Sequence, residues 1–569
     1  NVYYENSLGN GHYAVPGSSD VEIDLHQKRT YDISDGTLHG YYDDDIAAND
    51  DLLVKYLSQN KDAVLGDIIA TIQKEQNTII RDLPSKNIIV QGVAGSGKTT
   101  VALHRISYLL YNYEDLYKPS EFCIIGSSDM LLHYIRSGLP ELDVHHIHEM
   151  RMDEIFPYLM EKAWKKQYQI VPDYPEAEIK SHLPFIRALD RFLAELTEEA
   201  LNLSDITDPD LGVVLSLESM LEARSYHPED SLYQFEKHLN ERILSRLKFL
   251  CTERSSDFKK AKRQAFRKYF DSSVHKWTVP GLYLAFLTEL EEQDSSLDFS
   301  ATKAGVSKGK TDVYDAAAFG LIYRRIFQKQ DQDVFSQIFI DEAQDFGETV
   351  YYVLKQMLHD CYFTIMGDVS QNIRYETGMN DWEQLKEAMF DSPKDSFYLL
   401  LKSYRNTIEI SRFAGQVLQR ASQGGYQIDP VIRHGQPVSI LQAEPSGLFY
   451  QLQETLRHVR EKKFETIAVI CRTPEEAAEL KSGLGIPLEE DDNSFHNGVM
   501  VLPVSLTKGL EFDCVILWKP DEDHYQDHPK DAKLLYVAIT RALHELYLLT
   551  DRPLTPLLLT STGNESVLK

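Results

Sequence analysis

Residues 91–100 read QGVAGSGKTT and directly follow the apolar run Asn87–Val90 (NIIV). The segment Gly92–Thr99 matches the pattern GxxxxGK[ST], whose glycines allow the backbone to wrap a chain of phosphates. With a strand before it and a helical pattern after it, the loop aims backbone N–H groups and a helix N-terminus at the anion. The stretch therefore predicts an α/β fold in which parallel strands place a nucleotide at their carboxyl ends.

The end of the loop and a second, distant segment together predict the chemistry of that nucleotide. Lys98 would hold the β- and γ-phosphates, and the Thr99 hydroxyl would ligate Mg²⁺. Asp341 and Glu342 end the apolar strand Ile338–Ile340, where one carboxylate can hold the metal and its neighbour can polarise the attacking water. The alternative is that the two acidic residues only cap the next helix. The presence of Lys98 disfavours this interpretation. We expect ATP and Mg²⁺ as ligands.

Composition is that of an ordinary globular protein with an acidic surface. The chain has 569 residues, 43% of them hydrophobic and 26% charged, so we expect three or four domains. Its formal net charge is −29, and a field of that sign repels phosphate backbones at long range. Indiscriminate binding of nucleic acid is therefore disfavoured, although a local basic groove could still bind it.

The cysteines, the apolar runs and the first residues indicate the cellular compartment and the extent of the protein. Five cysteines lie far apart, without a CxxC pair or zinc spacing, which predicts reduced thiols in a cytoplasmic protein. No apolar run reaches the roughly 18 residues that a membrane span requires. The sequence begins at Asn1 in the middle of a pattern, so we expect that the natural N-terminus is missing.

The pattern along the chain changes three times. A β-rich start gives way to alternating strands and helices, and then to long polar amphipathic helices from about residue 150 to 310. The stretch Lys303–Lys310 (KAGVSKGK) is predicted to be the exit linker of this helical insertion. The alternation resumes afterwards, and a second α/β unit is predicted from about Asp395, with SFYLLL as its first strand.

The sequence DEAQD (Asp341–Asp345) resembles a motif of superfamily 1 motors, the UvrD/Rep helicase group. Other motifs of that group follow in the expected order over about residues 70–550. They are IQKEQ before the loop, GDVSQN (Gly367–Asn372), SYRNT (Ser403–Thr407), SLTKGLEFD (Ser505–Asp513) and LLYVAITRA (Leu534–Ala542). The resemblance implies an ATP hydrolase with two RecA-like motor domains.

The same resemblance implies contacts to the base and the sugar. Gln76 would read the adenine, Tyr404 would stack on the base, and Glu511 would contact the ribose. Together with the loop, the nucleotide-binding residues we expect are Gln76, Gly92, Val93, Ala94, Gly95, Ser96, Gly97, Lys98, Thr99, Thr100, Tyr404 and Glu511. The expected metal ligands are Thr99 and Asp341.

The resemblance also implies which residues act at the γ-phosphate. Gln371 would sense it, Arg405 would reach it, and Arg541 would be a second arginine finger. Cations placed there stabilise the charge of the transition state. The expected catalytic residues are Lys98, Glu342, Gln371, Arg405 and Arg541. Because the two arginines lie in the second unit, the nucleotide would pull two bodies together and hydrolysis would release them.

These inferences give an α/β fold with two RecA-like parallel-sheet motor domains, a large helical insertion in the first, and a small β-rich N-terminal segment. The predicted units are a β-rich N-terminal remnant (1–48), the first motor domain in two parts (49–150 and 311–394), a helical arm (151–310) and the second motor domain (395–569).

Two spacings favour one branch of the group. Only about 100 residues separate Arg405 from Ser505, whereas UvrD and Rep carry a large accessory domain in that interval. The bulk of the insertion lies before DEAQD instead. The sequence around the glycine-rich loop resembles that of the HelD-type factors, which associate with RNA polymerase. This resemblance implies a monomer that binds core RNA polymerase and frees it from nucleic acid. An acidic protein is also attracted to the basic channels of a polymerase.

Other features keep alternatives open. Ser127, Ser128 and Arg374 depart from the residues usual in helicases of this group, which weakens the expectation of processive unwinding. The basic run Phe258–Lys268 could grip nucleic acid or an acidic polymerase surface, or form one solvated helix face. The alternatives are a 3′–5′ DNA helicase or translocase of repair or replication, and a binding module that uses ATP only as a gate.

Overall fold

The computed structural model describes most of the chain. The described residues are 9–13, 21–26, 29–34, 37–43, 74–127, 132, 135–136, 139, 144–164, 168–270, 276–329, 334–403, 405–421, 429–430, 433–462, 464–486 and 498–559. Across these ranges, no helix has both the length and the apolar character needed to cross a membrane.

Four strands form two separate antiparallel hairpins near the start of the chain. The first pairs β1 (Gly9–Tyr13) with β2 (Val21–Leu25), and the second pairs β3 (Arg29–Ser34) with β4 (Thr37–Asp43). Neither hairpin joins the larger sheets.

The first large sheet begins with three parallel strands and one long helix. They are β5 (Ile88–Gly92), α1 (Lys98–Asn112), β6 (Phe122–Gly126) and β7 (His148–Arg151). Every residue of β5 and β6 is buried, as expected for strands covered by helices on both faces. The loop Gly92–Thr99 therefore leaves the carboxyl end of an interior strand and enters α1.

A mostly helical insertion follows β7. Its helices are α2 (Met152–Leu159), α3 (Glu161–Trp164), α4 (Ala177–Lys180), α5 (Leu183–Leu201), α6 (Leu217–Tyr226), α7 (Leu232–Leu250), α8 (Ser256–Ala265), α9 (Val279–Gln293) and α10 (Ser300–Ser307). Its short strands are β8 (Gln169–Ile170), β9 (Ile206–Asp208), β10 (Gly212–Leu215) and β11 (Lys310–Thr311).

The predicted exit linker Lys303–Lys310 is wrong. Most of it is the end of α10, and its last residue begins β11, which pairs in parallel with β8. Gly305 is buried against Tyr174, where an added Cβ would lie 2.0 Å from the hydroxyl oxygen. The glycine therefore permits close packing here, whereas the sequence suggested that it gave flexibility.

The chain then completes the first sheet. The added elements are α11 (Val313–Ile322), β12 (Gln337–Ile340), α12 (Glu348–Met357), β13 (Tyr362–Gly367), α13 (Glu383–Met389) and β14 (Ser396–Leu400). All six strands are parallel, in the order β14-β5-β13-β12-β6-β7. The strands that end at the loop and at Asp341 are thus separated by β13 alone.

The assignment of SFYLLL to the second unit is therefore also wrong. Strand β14 pairs along its whole length with β5. The side chain of Asp395 accepts a hydrogen bond from the Asn87 backbone at 2.8 Å, and Lys86 Nζ donates to the Ser396 hydroxyl at 2.8 Å. An edge strand can lie far along the chain from the sheet it joins, so the predicted boundary at residue 395 was too early.

The second large sheet contains five parallel strands, in the order β17-β21-β20-β18-β19. The elements of this part are β15 (Lys402–Ser403), α14 (Ile408–Ala421), β16 (Asp429–Pro430), β17 (Ser439–Gln442), α15 (Leu448–Glu461), β18 (Thr466–Cys471), α16 (Pro474–Leu484), β19 (Gly498–Pro503), β20 (Phe512–Trp518), α17 (Pro529–Thr540) and β21 (Ala542–Thr550). The predicted α/β class with parallel sheets is confirmed.

A fully buried ionic cluster ties the insertion to the first sheet's helices. Lys180 Nζ lies 2.6 Å from carboxylate oxygens of both Asp312 and Asp315, and the Tyr283 hydroxyl donates to Asp315 at 2.7 Å. Burial opposes the charge of Lys180, but the two carboxylates hold its pKa above the usual value. The backbone carbonyl of Lys180 accepts a hydrogen bond from the Thr349 hydroxyl at 2.8 Å. The cluster thus adjoins the helix that follows DEAQD.

Replacing Lys180 with methionine is expected to lower the free energy of unfolding by about 3–5 kcal/mol, because two buried carboxylates lose their counter-charge. Denaturant unfolding followed by circular dichroism measures the change. The matched control is Lys303→Met, which breaks a more exposed ion pair with Glu291 and should cost at most about 1 kcal/mol. Equal losses in the two variants would contradict the prediction.

Candidate active site

The loop Gly92–Thr99 is curled around the side chain of Lys98. Gly95 and Gly97 have left-handed φ values of 72° and 80°, which glycine adopts at little cost. A Cβ added to Gly92 would lie 2.5 Å from Lys98 Cγ. Lys98 Nζ donates to the carbonyl oxygens of Gly92 at 2.9 Å and Val93 at 3.4 Å. The lysine is therefore held at the mouth of the loop, beside the N-terminus of α1.

The other residues predicted for this loop lie close to it. Gln76, within the helical residues 74–80, donates from Nε2 to the Ser96 carbonyl oxygen at 3.1 Å. Ala94 lies in the loop itself, and Thr100 lies in the first turn of α1. The structure therefore brings Gln76 to the loop from a segment that precedes the sheet.

Thr99 and Asp341 meet at the carboxyl edge of the first sheet. The Thr99 hydroxyl donates to Asp341 Oδ2 at 2.5 Å. Burial, and then the charge of Glu342, raise the pKa of Asp341 to about 6, so a cation bound here would favour the ionised carboxylate. A hydroxyl and a carboxylate are oxygen donors of the kind that Mg²⁺ prefers, and both residues therefore fit the predicted metal.

Glu342 has an unusual backbone conformation and a cationic environment. Its φ is 54°, in the left-handed region that few residues other than glycine adopt. Gln344 Nε2 donates to its carboxylate at 2.6 Å, and Lys508 Nζ lies 3.6 Å away. Burial acts to raise the pKa of Glu342, but the ammonium groups of Lys508 and Lys98 outweigh it and hold the pKa at about 2. Glu342 is therefore an ionised carboxylate at neutral pH.

Lys508 is a residue of the site that was not predicted from the sequence. It comes from the second domain, and its ammonium group also forms an ion pair with Asp345 in the first. It lies within the motif Ser505–Asp513, from which only Glu511 was selected. The only signal in the sequence was a lysine followed by a glycine. In the structure Gly509 has a φ of 75°, and the chain then enters β20.

Arg541 reaches across from the second domain to Gln371. Arg541 Nη2 donates to Gln371 Oε1 at 2.6 Å, and Gln371 Nε2 donates to Asp368 at 2.7 Å. The guanidinium group also donates to the carbonyl oxygens of Val537 and Leu510. Burial lowers the pKa of Arg541 to about 10, which leaves it charged at neutral pH. Two predicted catalytic residues thus meet across the domain boundary.

Arg405 lies against the loop and forms an ion pair with Glu511. A Cβ added to Gly95 would lie 2.5 Å from Arg405 Cβ, so only glycine leaves room for this side chain. Arg405 was expected at the γ-phosphate and Glu511 at the ribose, whereas in the structure the two side chains pair with each other. Tyr404 lies outside the described residues.

Three polar atoms around the loop are buried and have no hydrogen-bond partner within the described part of the chain: Ser96 Oγ, Ser403 Oγ and Arg405 Nε. Burying such groups without partners costs about 1–3 kcal/mol each. Their clustering beside a glycine-rich loop therefore suits a polar ligand that would satisfy them, and a phosphate chain has the acceptor oxygens to do so.

Further contacts join the two domains beside the site. Lys533 on α17 donates to the Val369 carbonyl oxygen at 2.8 Å and to Asn380 Oδ1 at 2.6 Å. Burial lowers the pKa of Lys533 to about 8. Lys530 forms an exposed ion pair with Glu376 at 2.6 Å. Neither lysine was predicted from the sequence, because no spacing of residues shows which surfaces of two domains meet.

Comparison with known proteins agrees with this geometry. The family model of the UvrD/REP helicase N-terminal domain matches residues 72–377, and that of the UvrD-like helicase C-terminal domain matches residues 498–549. One similar solved structure is described as the C-terminal domain of a possible DNA helicase from Lactobacillus plantarum WCFS1. It is 30% identical over 27% of this chain and 92% of its own, with a TM-score of 0.23.

No curated protein matches the chain. The match over residues 72–377 nevertheless covers more than half of the 569 residues. It includes the glycine-rich loop, the Asp341–Glu342 pair and Gln371. The chain therefore belongs to the UvrD/REP helicase family and is an ATP-hydrolysing enzyme of superfamily 1.

Proposed function

We propose that ATP binds against the loop Gly92–Thr99 and is hydrolysed between the two parallel-sheet domains. The observation that carries this proposal is the group of buried polar atoms around the loop that have no hydrogen-bond partner among the described residues, one of which belongs to Arg405. Lys98 and Arg405 place positive charge there, and α1 begins there with no acidic residue in its first turn. A polyphosphate would satisfy these donors and the positive helix end together.

Thr99 and Asp341 would hold Mg²⁺, which neutralises phosphate charge when it is bound. Glu342 would accept a proton from the attacking water as the water oxygen bonds to the γ-phosphorus and the bond to ADP breaks. Its low pKa keeps the carboxylate ionised and ready to accept that proton. Gln371 and Arg541, already hydrogen-bonded to each other, would stabilise charge on the transferring phosphoryl group.

Replacing Lys508 with methionine is expected to move the acidic limb of the ATPase pH profile to higher pH. Glu342 can accept a proton only when ionised, which requires a pH above its pKa. Lys508 lowers that pKa, so its loss raises the pKa and turnover falls first at acidic pH. Initial ATPase rates across a pH series measure the shift.

The control for this prediction is Lys530→Met, which removes another ion pair between the domains without being among the groups that shift the pKa of Glu342. Its acidic limb should coincide with that of the wild type. If the limb of Lys508→Met also stays in place, the proposed coupling of Lys508 to Glu342 is wrong.

We further propose that the motor acts on RNA polymerase, as in HelD-type factors, and frees stalled polymerase from nucleic acid. Support comes from the interval between Arg405 and Ser505. Its described residues supply three strands of the second sheet, β17, β18 and β19, and the helices α14, α15 and α16. That leaves no separate accessory unit among them. The large insertion instead contacts the helix that follows DEAQD, through Lys180 and Thr349. An acidic chain also suits basic polymerase channels.

A pull-down of core RNA polymerase with the full-length natural protein tests this proposal. We expect co-purification, and release of polymerase from a stalled complex when ATP is added. Failure of the two proteins to associate would overturn it. If Glu342→Gln released polymerase as well as the wild type does, ATP would be a gate and the protein a binding module.

The family match is equally consistent with a second candidate, a 3′–5′ DNA helicase or translocase in repair or replication. ATPase rates with single-stranded DNA and without polymerase separate the two. Strong stimulation by DNA together with unwinding of tailed duplexes would favour the translocase. Stimulation by polymerase alone would favour the polymerase-releasing motor.

A further inference from the structure

Three potential metal ligands meet within the helical insertion, far along the chain from the nucleotide residues. His227 follows the last residue of α6, Asp230 lies in the turn after it, and His238 lies in the second turn of α7. The turn is closed by a hydrogen bond from the Asp230 backbone N–H to the His227 carbonyl oxygen at 3.3 Å. The ligand atoms of the three side chains all lie within 4.8 Å of one another.

The contact between Asp230 and His238 is not an ordinary hydrogen bond. Asp230 Oδ2 lies 2.7 Å from His238 Nδ1. Both atoms are buried, yet among the described residues neither has a hydrogen-bond partner. A carboxylate oxygen and an unprotonated imidazole nitrogen this close repel each other unless a cation lies near both of them.

His227 completes the group from the solvent side. Its ring centroid lies 5.0 Å from that of His238, and its side chain is exposed. Two imidazoles and one carboxylate therefore face a common point, with the outer side open to water. Three protein ligands and one open position form a common arrangement for Zn²⁺.

The geometry points to a site for a divalent transition metal at the turn between α6 and α7, with Zn²⁺ as the ion that fits best. Imidazole nitrogens suit Zn²⁺ and its neighbours in the periodic table, whereas Mg²⁺ and Ca²⁺ prefer sites made of oxygen alone. Because the ligands come from both ends of the turn, the bound ion would fasten the two helices of the insertion together.

The surrounding charges leave the carboxylate of Asp230 available. Arg224 approaches the turn, but it donates to the backbone carbonyl oxygen of Asp230 at 3.0 Å. The neighbouring Glu229 faces Arg324 and Arg325 at 3.7 and 3.8 Å, so those guanidinium groups have an acidic partner of their own. The competing explanation is a plain ion pair between Asp230 and protonated His238.

A suitable control lies in the second domain. His434 Nδ1 lies 2.9 Å from Glu409, and this pair makes a hydrogen bond. No third ligand is grouped with it among the described residues. His434→Ala therefore removes a histidine that faces a carboxylate without touching the proposed metal site.

The test is a calorimetric titration of the chelator-treated chain with Zn²⁺, in excess Mg²⁺ so that Thr99 and Asp341 do not compete. We expect one Zn²⁺ per chain in the wild type and in His434→Ala. Loss of an outer contact to a metal ligand costs about 10- to 100-fold in affinity, so His238→Ala and Asp230→Asn, which remove ligands, should weaken binding by at least about 100-fold. Circular dichroism and basal ATPase rates should show that both variants remain folded.

Two results would overturn the site. One is the absence of Zn²⁺ binding in the wild type, which would leave Asp230 and His238 as an ion pair only. The other is equal affinity in the wild type and His238→Ala, which would place the ion elsewhere. Co²⁺ offers a second readout, because the visible absorption of the bound ion should disappear in both ligand variants while persisting in His434→Ala.

Discussion

Replacing Arg541 with alanine is expected to lower ATP turnover by about 10³- to 10⁵-fold, the range in which a single arginine stabilises phosphoryl transfer. The side chain is buried, and its Nη2 reaches Gln371 of the opposite domain. It would therefore deliver positive charge to the γ-phosphate only when the two domains are in contact. Steady-state ATPase rates measure the loss, and fluorescent ATP analogues show whether binding survives.

Two further variants separate catalysis from folding. Arg541→Lys keeps one positive charge but loses the forked donors that now contact four different oxygens. It should therefore recover stability better than turnover. Arg472→Ala removes an arginine whose side chain donates to His524 and Asp531 within the second domain, and turnover per folded molecule should hardly change. Turnover of folded Arg541→Ala within tenfold of the wild type would refute the role.

The predictable part of the site lies at the ends of parallel strands. Lys98 and Asp341 follow β5 and β12, and the carboxyl ends of parallel strands meet at one edge of a sheet. Their convergence therefore followed from spacing and apolar runs alone. The contact between Arg541 and Gln371 was expected only from the resemblance to superfamily 1 motors, since nothing local links two motifs 170 residues apart.

The errors arose where the outcome depends on distant partners. Strand β14 has the same apolar pattern whether it joins the first sheet or the second, and only its pairing with β5 decides. Lys180 is separated along the chain by 132 and 135 residues from the two carboxylates that it contacts. From the sequence alone it is therefore expected to be an exposed lysine. The partners of Lys508 are also distant in the sequence. Since most lysines in proteins are exposed, nothing in the sequence marked this one as buried.

The backbone at Glu342 was equally invisible in the sequence. A φ of 54° costs a side chain of this kind on the order of 1–3 kcal/mol, and such conformations persist when the surroundings enforce them. Here the next peptides enter a short 3-10 turn, Ala343–Asp345, and Gln344 donates to the Glu342 carboxylate. The turn directs the carboxylate toward Lys508 and Lys98, beside the place where the γ-phosphate would lie.

Replacing Glu342 with glutamine is expected to reduce turnover by about 10²- to 10⁴-fold, the usual contribution of a general base. Glutamine has nearly the same shape but cannot accept the proton of the attacking water. Removing the negative charge also leaves Lys508 and Lys98 without one of their partners. We therefore expect ATP to bind at least as tightly, which equilibrium binding of a fluorescent analogue would measure.

The combination of slow turnover with retained binding distinguishes a base from a ligand of the nucleotide. If Glu342 held the nucleotide or its metal directly, glutamine would weaken binding together with turnover. Glu461→Gln makes the same chemical change on an exposed residue at the end of α15, and both quantities should stay at the wild-type level. Weakened binding in Glu342→Gln would therefore reject the general-base role while leaving Arg541 untouched.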